Sequence, residues 1–123
     1  MKKKEIGEIG ELCAEKFLTS QNYHCLRKNY HCRWGEIDLI MLSPQQEIVF
    51  VEVKARTSAA MGEGEESITP RKMQKILRTA MTFLMETSEI DFVTWRIDLI
   101  ALKLNKQYRV CEIRHYKNII DGR

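Results

Sequence analysis

Long apolar runs are missing from this chain of 123 residues. None approaches the roughly 20 consecutive apolar residues that a membrane-crossing helix needs, so no spanning helix is expected. A secretory leader is not expected either, because acidic and polar residues follow the basic start Met1-Lys2-Lys3-Lys4. The expected location is therefore cytoplasmic. The sequence also lacks internal repeats, low-complexity segments and any domain-length linker, which points to a single domain over residues 1–123. Excess charge of one sign is small. A net charge of +3 permits a polyanionic partner without requiring one.

Cysteine is present only four times, as Cys13, Cys25, Cys32 and Cys111. With no leader, and with enough length to bury roughly two-thirds of the unfolded chain's surface, a disulfide scaffold is not needed. Cys13 and Cys111 sit among apolar neighbours and are expected to be small buried hydrophobes. His24-Cys25 and His31-Cys32 invite a zinc assignment. Structural zinc pairs stand two to four residues apart with a second pair further on, whereas these form one cluster on a strand that splays alternate side chains. Zinc is not expected.

What the chain does have is clear periodicity. Ile6, Ile9, Cys13 and Phe17 recur at helical spacing across residues 5–19, with Glu8, Glu11 and Glu15 on the other side. A short first strand follows over Tyr23–Tyr30, then a turn at Trp34-Gly35. In Glu36–Leu42 the alternation sets Ile37, Leu39 and Met41 against Glu36, Asp38, Ile40 and Leu42. Ser43-Pro44-Gln45-Gln46 suits a tight turn. In Ile48–Ala55 the valines at 49, 51 and 53 share one face, opposite Ile48, Phe50, Glu52 and Lys54. Residues 56–67 read as a loop, and Thr69-Pro70 starts a helix that runs to about Thr87. Strands over Phe92–Leu104 and Tyr108–Tyr116 complete the order α-β-β-β-α-β-β. That order implies an α/β fold with one central mixed sheet flanked by helices.

Glu52 and Lys54 are the residues that most need explaining. They lie on one face of a strand that is otherwise apolar, and a buried charge without a partner costs several kcal/mol. Asp38 breaks the apolar pattern of the preceding strand in the same way, and pairing of the two strands can bring it beside Glu52. Two close carboxylates repel, and a hard divalent cation relieves the repulsion. Two acids, a lysine and nearby basic residues suit phosphodiester hydrolysis. An acid two places before a lysine is a pattern that chance supplies in a chain this charged. The rival account is a cross-strand salt bridge on a half-exposed sheet.

Arg56, Arg71, Lys72, Lys75 and Arg78 gather beyond that strand and along the second helix, as candidate phosphate contacts or as a solvated basic face. Tyr30 and Trp34 flank the turn before Asp38. Capping the edge of the core is the simpler expectation for both, with stacking on an unpaired base the alternative. His115 is expected to be a hydrogen-bonded surface histidine.

Several segments together resemble the YraN-type uncharacterised bacterial family. They are Gly35-Glu36-Ile37-Asp38-Leu39-Ile40, then Val49-Phe50-Val51-Glu52-Val53-Lys54-Ala55-Arg56, then Ile68-Thr69-Pro70-Arg71-Lys72. Gly7, Gly10, Glu11 and Ala14 fit that family's opening, and Arg96–Ala101 and His115–Asn118 fit its closing strands. The resemblance implies a restriction-endonuclease-like core similar to Holliday-junction resolvases. Carried over by position, it implies that Asp38, Glu52 and the Val53 carbonyl bind Mg²⁺ or Mn²⁺, that Lys54 is the catalytic lysine and that Glu11 is an accessory acid. By helical spacing alone Glu11 is equally an ordinary solvent-facing residue. The chain departs from the family where the loop usually carries Phe-Gly: here it has Met61-Gly62, with Glu63, Glu65 and Glu66 close by.

The resulting expectation is a metal-dependent endonuclease acting on DNA, selective for branched or flapped structure. The alternative is a binding protein of DNA processing that uses the same fold without turnover. A weaker third reading makes the charges a structural salt bridge in an interaction domain. A homodimer is expected by analogy with resolvases.

Overall fold

A computed structural model describes residues 1–57, 68–87 and 94–120. Helix α1 covers Lys3–Thr19, strands β1, β2 and β3 cover His24–Cys32, Gly35–Leu42 and Ile48–Thr57, and helix α2 covers Pro70–Glu86. Strands β4 and β5 cover Trp95–Leu104 and Val110–Tyr116. The five strands form one mixed sheet in the order β1-β2-β3-β4-β5. β3 and β4 run parallel, and every other neighbouring pair is antiparallel. The parallel pair is joined through α2, as a parallel connection requires a crossover. The expected α/β order is the observed one. Among the described residues no helix is long and apolar enough to cross a membrane.

Local chemistry accounts for most boundaries. The Thr69 hydroxyl accepts a hydrogen bond from the Lys72 amide at 3.2 Å, and Pro70 follows at the first helical position. The Gln46 amide donates to the Ser43 carbonyl at 2.9 Å, closing the β2–β3 hairpin with Pro44 at the first central position.

The two faces of the sheet are covered by different helices. On one, Ala14 and Leu18 of α1 pack with Leu39, Met41, Val49, Val51, Ile100 and Leu102. On the other, Ile76, Ala80 and Phe83 of α2 pack with Tyr30, Ile37, Ile40, Phe50 and Ile97. The buried stripe of α1 is Gly10, Ala14 and Leu18, with Cys13 and Phe17 beside it; Ile6 and Ile9 are only half-buried. Small residues carry this contact because the helix lies very close to β3. A Cβ built on Gly10 would stand 2.5 Å from the Ala55 Cβ.

Two expectations about orientation change. Ile37 packs with the α2 cluster while Leu39 and Met41 pack with the α1 cluster, so the alternation of β2 breaks at Asp38. The partner strand is irregular at the same level. Asn29 sits between the pairs Lys28↔Leu39 and Tyr30↔Ile37 and has a left-handed backbone, φ 49°. Cys111 is exposed, because β5 is an edge strand and this residue faces outward. All four cysteines are free.

Candidate functional site

The β2–β3 ladder runs from Leu42↔Ile48 to Leu39↔Val51, where its register ends. β3 remains paired to β4 over its whole length, so its later residues are open on the β2 side. Asp38 fills the fork. Its Oδ2 accepts the Val53 amide at 2.8 Å, a side chain standing in for the missing strand.

Glu52 lies next to Asp38 in this fork and is 8% exposed. The two carboxyls share a hydrogen bond. Burial, then repulsion from Asp38, pushes the Glu52 carboxyl up to about 7, although Lys72 opposes the shift. Burial also raises Asp38, against the Val53 amide, the Glu52 hydrogen bond and Lys72. Glu11 reaches the same point from α1 and hydrogen-bonds Asp38. Its carboxyl is raised by burial, then by repulsion from Asp38, Glu36 and Glu8. The close approach at Gly10 brings the neighbouring Glu11 within reach of the fork.

Three carboxyls therefore meet at Asp38, each disfavoured as an anion. Among the described residues no three His, Cys, Asp or Glu side chains are grouped so as to hold a metal ion. Asp38 lies between Glu11 and Glu52, and a cation bound here would rest on a pair of carboxylates.

Lys54 is partly buried two residues beyond Glu52. Its neighbours Val53 and Ala55 pack toward α1, which places Lys54 on the α2 side with Glu52. Lys72 was grouped by sequence with the phosphate contacts, yet its Nζ lies 3.1 Å from Glu52 Oε2. Burial works against its ammonium, but Glu52, Asp38 and Glu36 outweigh that and raise its pKa. One signal was available. A lysine in the first turn of a helix opposes the helix dipole, and an acid or other anion nearby relieves that cost.

Arg71, Lys75 and Arg78 lie on α2 and face the β1–β2 turn, while Arg56 is exposed near the end of β3. Tyr30 is buried and donates to Glu86, capping the core edge as expected; Trp34 is instead 36% exposed. His31 pairs with Glu36 at 2.9 Å. Met61-Gly62, Glu63, Glu65 and Glu66 lie outside the described residues.

A second buried acid escaped the sequence reading. Asp98 on β4 has no exposed surface. It accepts His115 Nε2 at 2.7 Å, the Asn118 amide at 2.9 Å and Arg96 Nε at 3.0 Å. Arg96 also binds Glu47 and the Tyr23 hydroxyl. Burial pushes Asp98 up, but these donors win and hold it below the usual carboxylate range. His115 is hydrogen-bonded as expected but is not a surface residue: its side chain is 9% exposed, with Phe17 and Tyr23 edge-on. The partner acid Asp98 draws it inward.

Comparison with known proteins adds a family. The model of "Uncharacterised protein family UPF0102" matches residues 10–102, a span that holds Glu11, the fork, Lys72 and Asp98. A UPF0102 protein of Desulforamulus reducens is 37% identical over 120 residues, covering 98% of each chain. One of Saccharophagus degradans is 46% identical over 101 residues, covering 82% of this chain and 85% of its own. One of Sulfurihydrogenibium sp. is 41% identical over 110 residues, covering 89% of this chain and 94% of its own. With a family match over most of its length and relatives alike nearly end to end, the chain belongs to the UPF0102 family.

Proposed function

We propose that this chain hydrolyses phosphodiester bonds in DNA as an endonuclease dependent on Mg²⁺ or Mn²⁺, directed at branched or flapped strands. The observation that carries the proposal is the Asp38–Glu52 pair: two carboxyls pressed together at an open strand fork, both raised in pKa, with lysines alongside. A fold under no functional demand would fill this position with apolar side chains.

The donor set fits a hard divalent cation. Such ions take oxygen ligands, use one or two carboxylates and keep several waters. Asp38 and Glu52 would hold the ion, with the Val53 carbonyl as a further oxygen ligand. When bound, it supplies Lewis acidity to a phosphoryl oxygen and lowers the pKa of water. Lys54, on the same face as Glu52, donates from Nζ to the attacking water or a non-bridging oxygen, opposing the charge that grows there. Glu11 holds Asp38 in place through their hydrogen bond. Lys72, 3.1 Å from Glu52, adds a second cation beside the fork that would serve a phosphate oxygen of the substrate. Water oxygen adds to phosphorus, the bond to one ester oxygen breaks, and that oxygen takes the proton.

The second reading is a DNA-binding accessory protein without turnover. It is favoured by the Lys72–Glu52 ion pair, which partly satisfies Glu52 without any cation.

Incubation with single-stranded, duplex, flapped and branched DNA in Mg²⁺ or Mn²⁺ separates the two. Cleavage is expected, and Glu52→Gln or Lys54→Ala should lower it by about 10²-fold or more while leaving DNA binding within a few-fold. Binding across the panel without cleavage selects the accessory reading.

A further inference from the structure

A pocket of about 350 Å³ opens between the β1–β2 turn and α2, lined by Arg33, Trp34, Arg71, Gln74, Lys75 and Arg78. We propose that it holds one unpaired nucleotide of a nucleic acid strand, the phosphate on the four cations and the base against Trp34. The ligand class rests on the reading of this chain as a nucleic-acid enzyme; the geometry of the pocket does not.

Charge is the first argument. Four cationic side chains face one concavity, and among the described residues none of them is ion-paired to a carboxylate. All four are exposed at the rim of the pocket, whereas Lys72 on the same helix sits on Glu52 and the half-buried Arg96 on Glu47 and Asp98. Like charges gathered without counter-charge repel, and an anion placed among them relieves that cost. α2 adds its positive N-terminal end, and its first turn contains no acid.

The aromatic wall is the second argument. The Arg33 and Arg78 guanidiniums stand 4.5 and 4.7 Å from the centre of the Trp34 ring. These contacts hold both arginines at the pocket, and a base that stacks on Trp34 takes one ring face while the guanidinium it displaces turns to the phosphate. The turn that carries Trp34 is also pinned. The Trp34 amide meets Cys32 Sγ at 3.4 Å, and a Cβ on Gly35 would stand 3.3 Å from Thr79 Oγ1 on α2. A phosphate alone gains nothing from an indole, whereas a base does. A base inside a duplex already has both faces stacked. The nucleotide that uses cations and indole together is therefore unpaired.

Position is the third argument. Arg71 immediately precedes Lys72, which touches Glu52, so pocket and carboxyl fork share the first turn of α2. A strand with one nucleotide lodged here would pass beside the fork. Such a device selects flaps, gaps and junctions over intact duplex.

Binding to the full-length protein in EDTA, where no cleavage intervenes, tests this. The probes are thymidine monophosphate, oligo-dT, oligo-U and a duplex of equal length. Oligo-dT or oligo-U should bind more tightly than duplex, and the tighter of the two identifies the sugar. Thymidine monophosphate should quench tryptophan fluorescence in the wild type but not in Trp34→Phe, where Trp95 is the remaining indole of the chain's two. Arg33→Gln and Arg78→Gln should each weaken single-strand binding about tenfold at low salt and reduce the slope of log affinity against log salt by about 0.7. Arg78→Lys should restore most of the slope. Wild-type affinity and slope in both Gln variants, beside a wild-type protein that binds strands, overturn the pocket and leave the proposed cleavage standing. Strand binding that needs Arg33 and Arg78 without any cleavage on the DNA panel keeps the pocket and removes the endonuclease. Absence of binding to every probe at low salt overturns both.

Discussion

Asp98 and the Asp38–Glu52 pair are acids of one sheet treated in opposite ways. Asp98 is fully buried, yet a histidine, an arginine and a backbone amide all donate to it, and its carboxyl is depressed. Asp38 and Glu52 are less deeply enclosed, yet each has a single strong donor, the Val53 amide and Lys72, which burial and their mutual repulsion outweigh, and both are raised. Burial alone does not decide the state of a carboxyl; the supply of donors does. The first arrangement fastens β4 to β5 and the chain after it and, through Arg96, to Glu47 just before β3. The second leaves unfavourable interaction at an open strand end, which a bound cation would relieve under the proposed function.

Breaking each site should therefore have opposite consequences, and this is the largest effect expected. Asp98→Ala strands the half-buried Arg96 and the enclosed His115, and should cost about 3–5 kcal/mol in urea unfolding. Asp38→Asn keeps an acceptor for the Val53 amide and removes a disfavoured charge, as Glu52→Gln does. Both should leave stability within about 1 kcal/mol of wild type or raise it. A loss at Glu52→Gln as large as that at Asp98→Ala would erase the distinction.

The next effect concerns how α1 delivers Glu11. Gly10→Ala puts a Cβ 2.5 Å from the Ala55 Cβ, and neither helix nor sheet can yield that much cheaply. A cost of about 1–3 kcal/mol is expected from overpacking, offset in part by the better helix propensity of alanine. Displacement of α1 should also draw Glu11 off Asp38, so activity should fall further than in Gly7→Ala. Nothing lies within 4 Å of the corresponding Cβ at Gly7. Equal behaviour of the two alanine variants would sever the link between Gly10 and the fork.

Much of this was legible in residue order, and the division is physical. The Thr69-Pro70 helix start, the Ser43–Gln46 turn and the valine-rich β3 are local signals, and each appears where the sequence places it. Asp38 and Glu52 showed themselves as charges interrupting apolar strands. Asp98 interrupts Ile97 and Leu99 in the same way, but nothing local separates a satisfied acid from a frustrated one. That depends on His115 of β5 and on Asn118 just after it, which the fold brings back to β4. The break in β2 at Asp38 is opposite Asn29 on another strand, and the cation-lined pocket joins Arg33 to Arg78 across 45 residues of chain. Such features are set by register and helix placement, to which periodicity is blind.

A pH comparison sharpens the contrast further. In the unfolded chain a glutamate loses its proton near 4.3. Folded Glu52 keeps its proton up to about 7, chiefly because it is buried and then because Asp38 is adjacent. Between those values the native state binds more protons than the unfolded state, so stability must fall as pH rises, and it levels off above about 7. The raised carboxyls of Asp38 and Glu11 add to the same slope. Asp98 works the other way. Its depressed carboxyl contributes stability that is complete above the unfolded value near 3.9 and is lost as pH drops through the lower native value. Wild-type urea midpoints, measured in EDTA, should therefore rise out of acid, peak near the unfolded carboxylate range and decline toward neutrality. Glu52→Gln should flatten the decline and spare the acid limb, whereas Asp98→Asn should flatten the acid limb and spare the decline. Parallel profiles for wild type and Glu52→Gln from about pH 4 to 7 would mean that Glu52 is held as an anion throughout, and that the fork is as well matched as the Asp98 network.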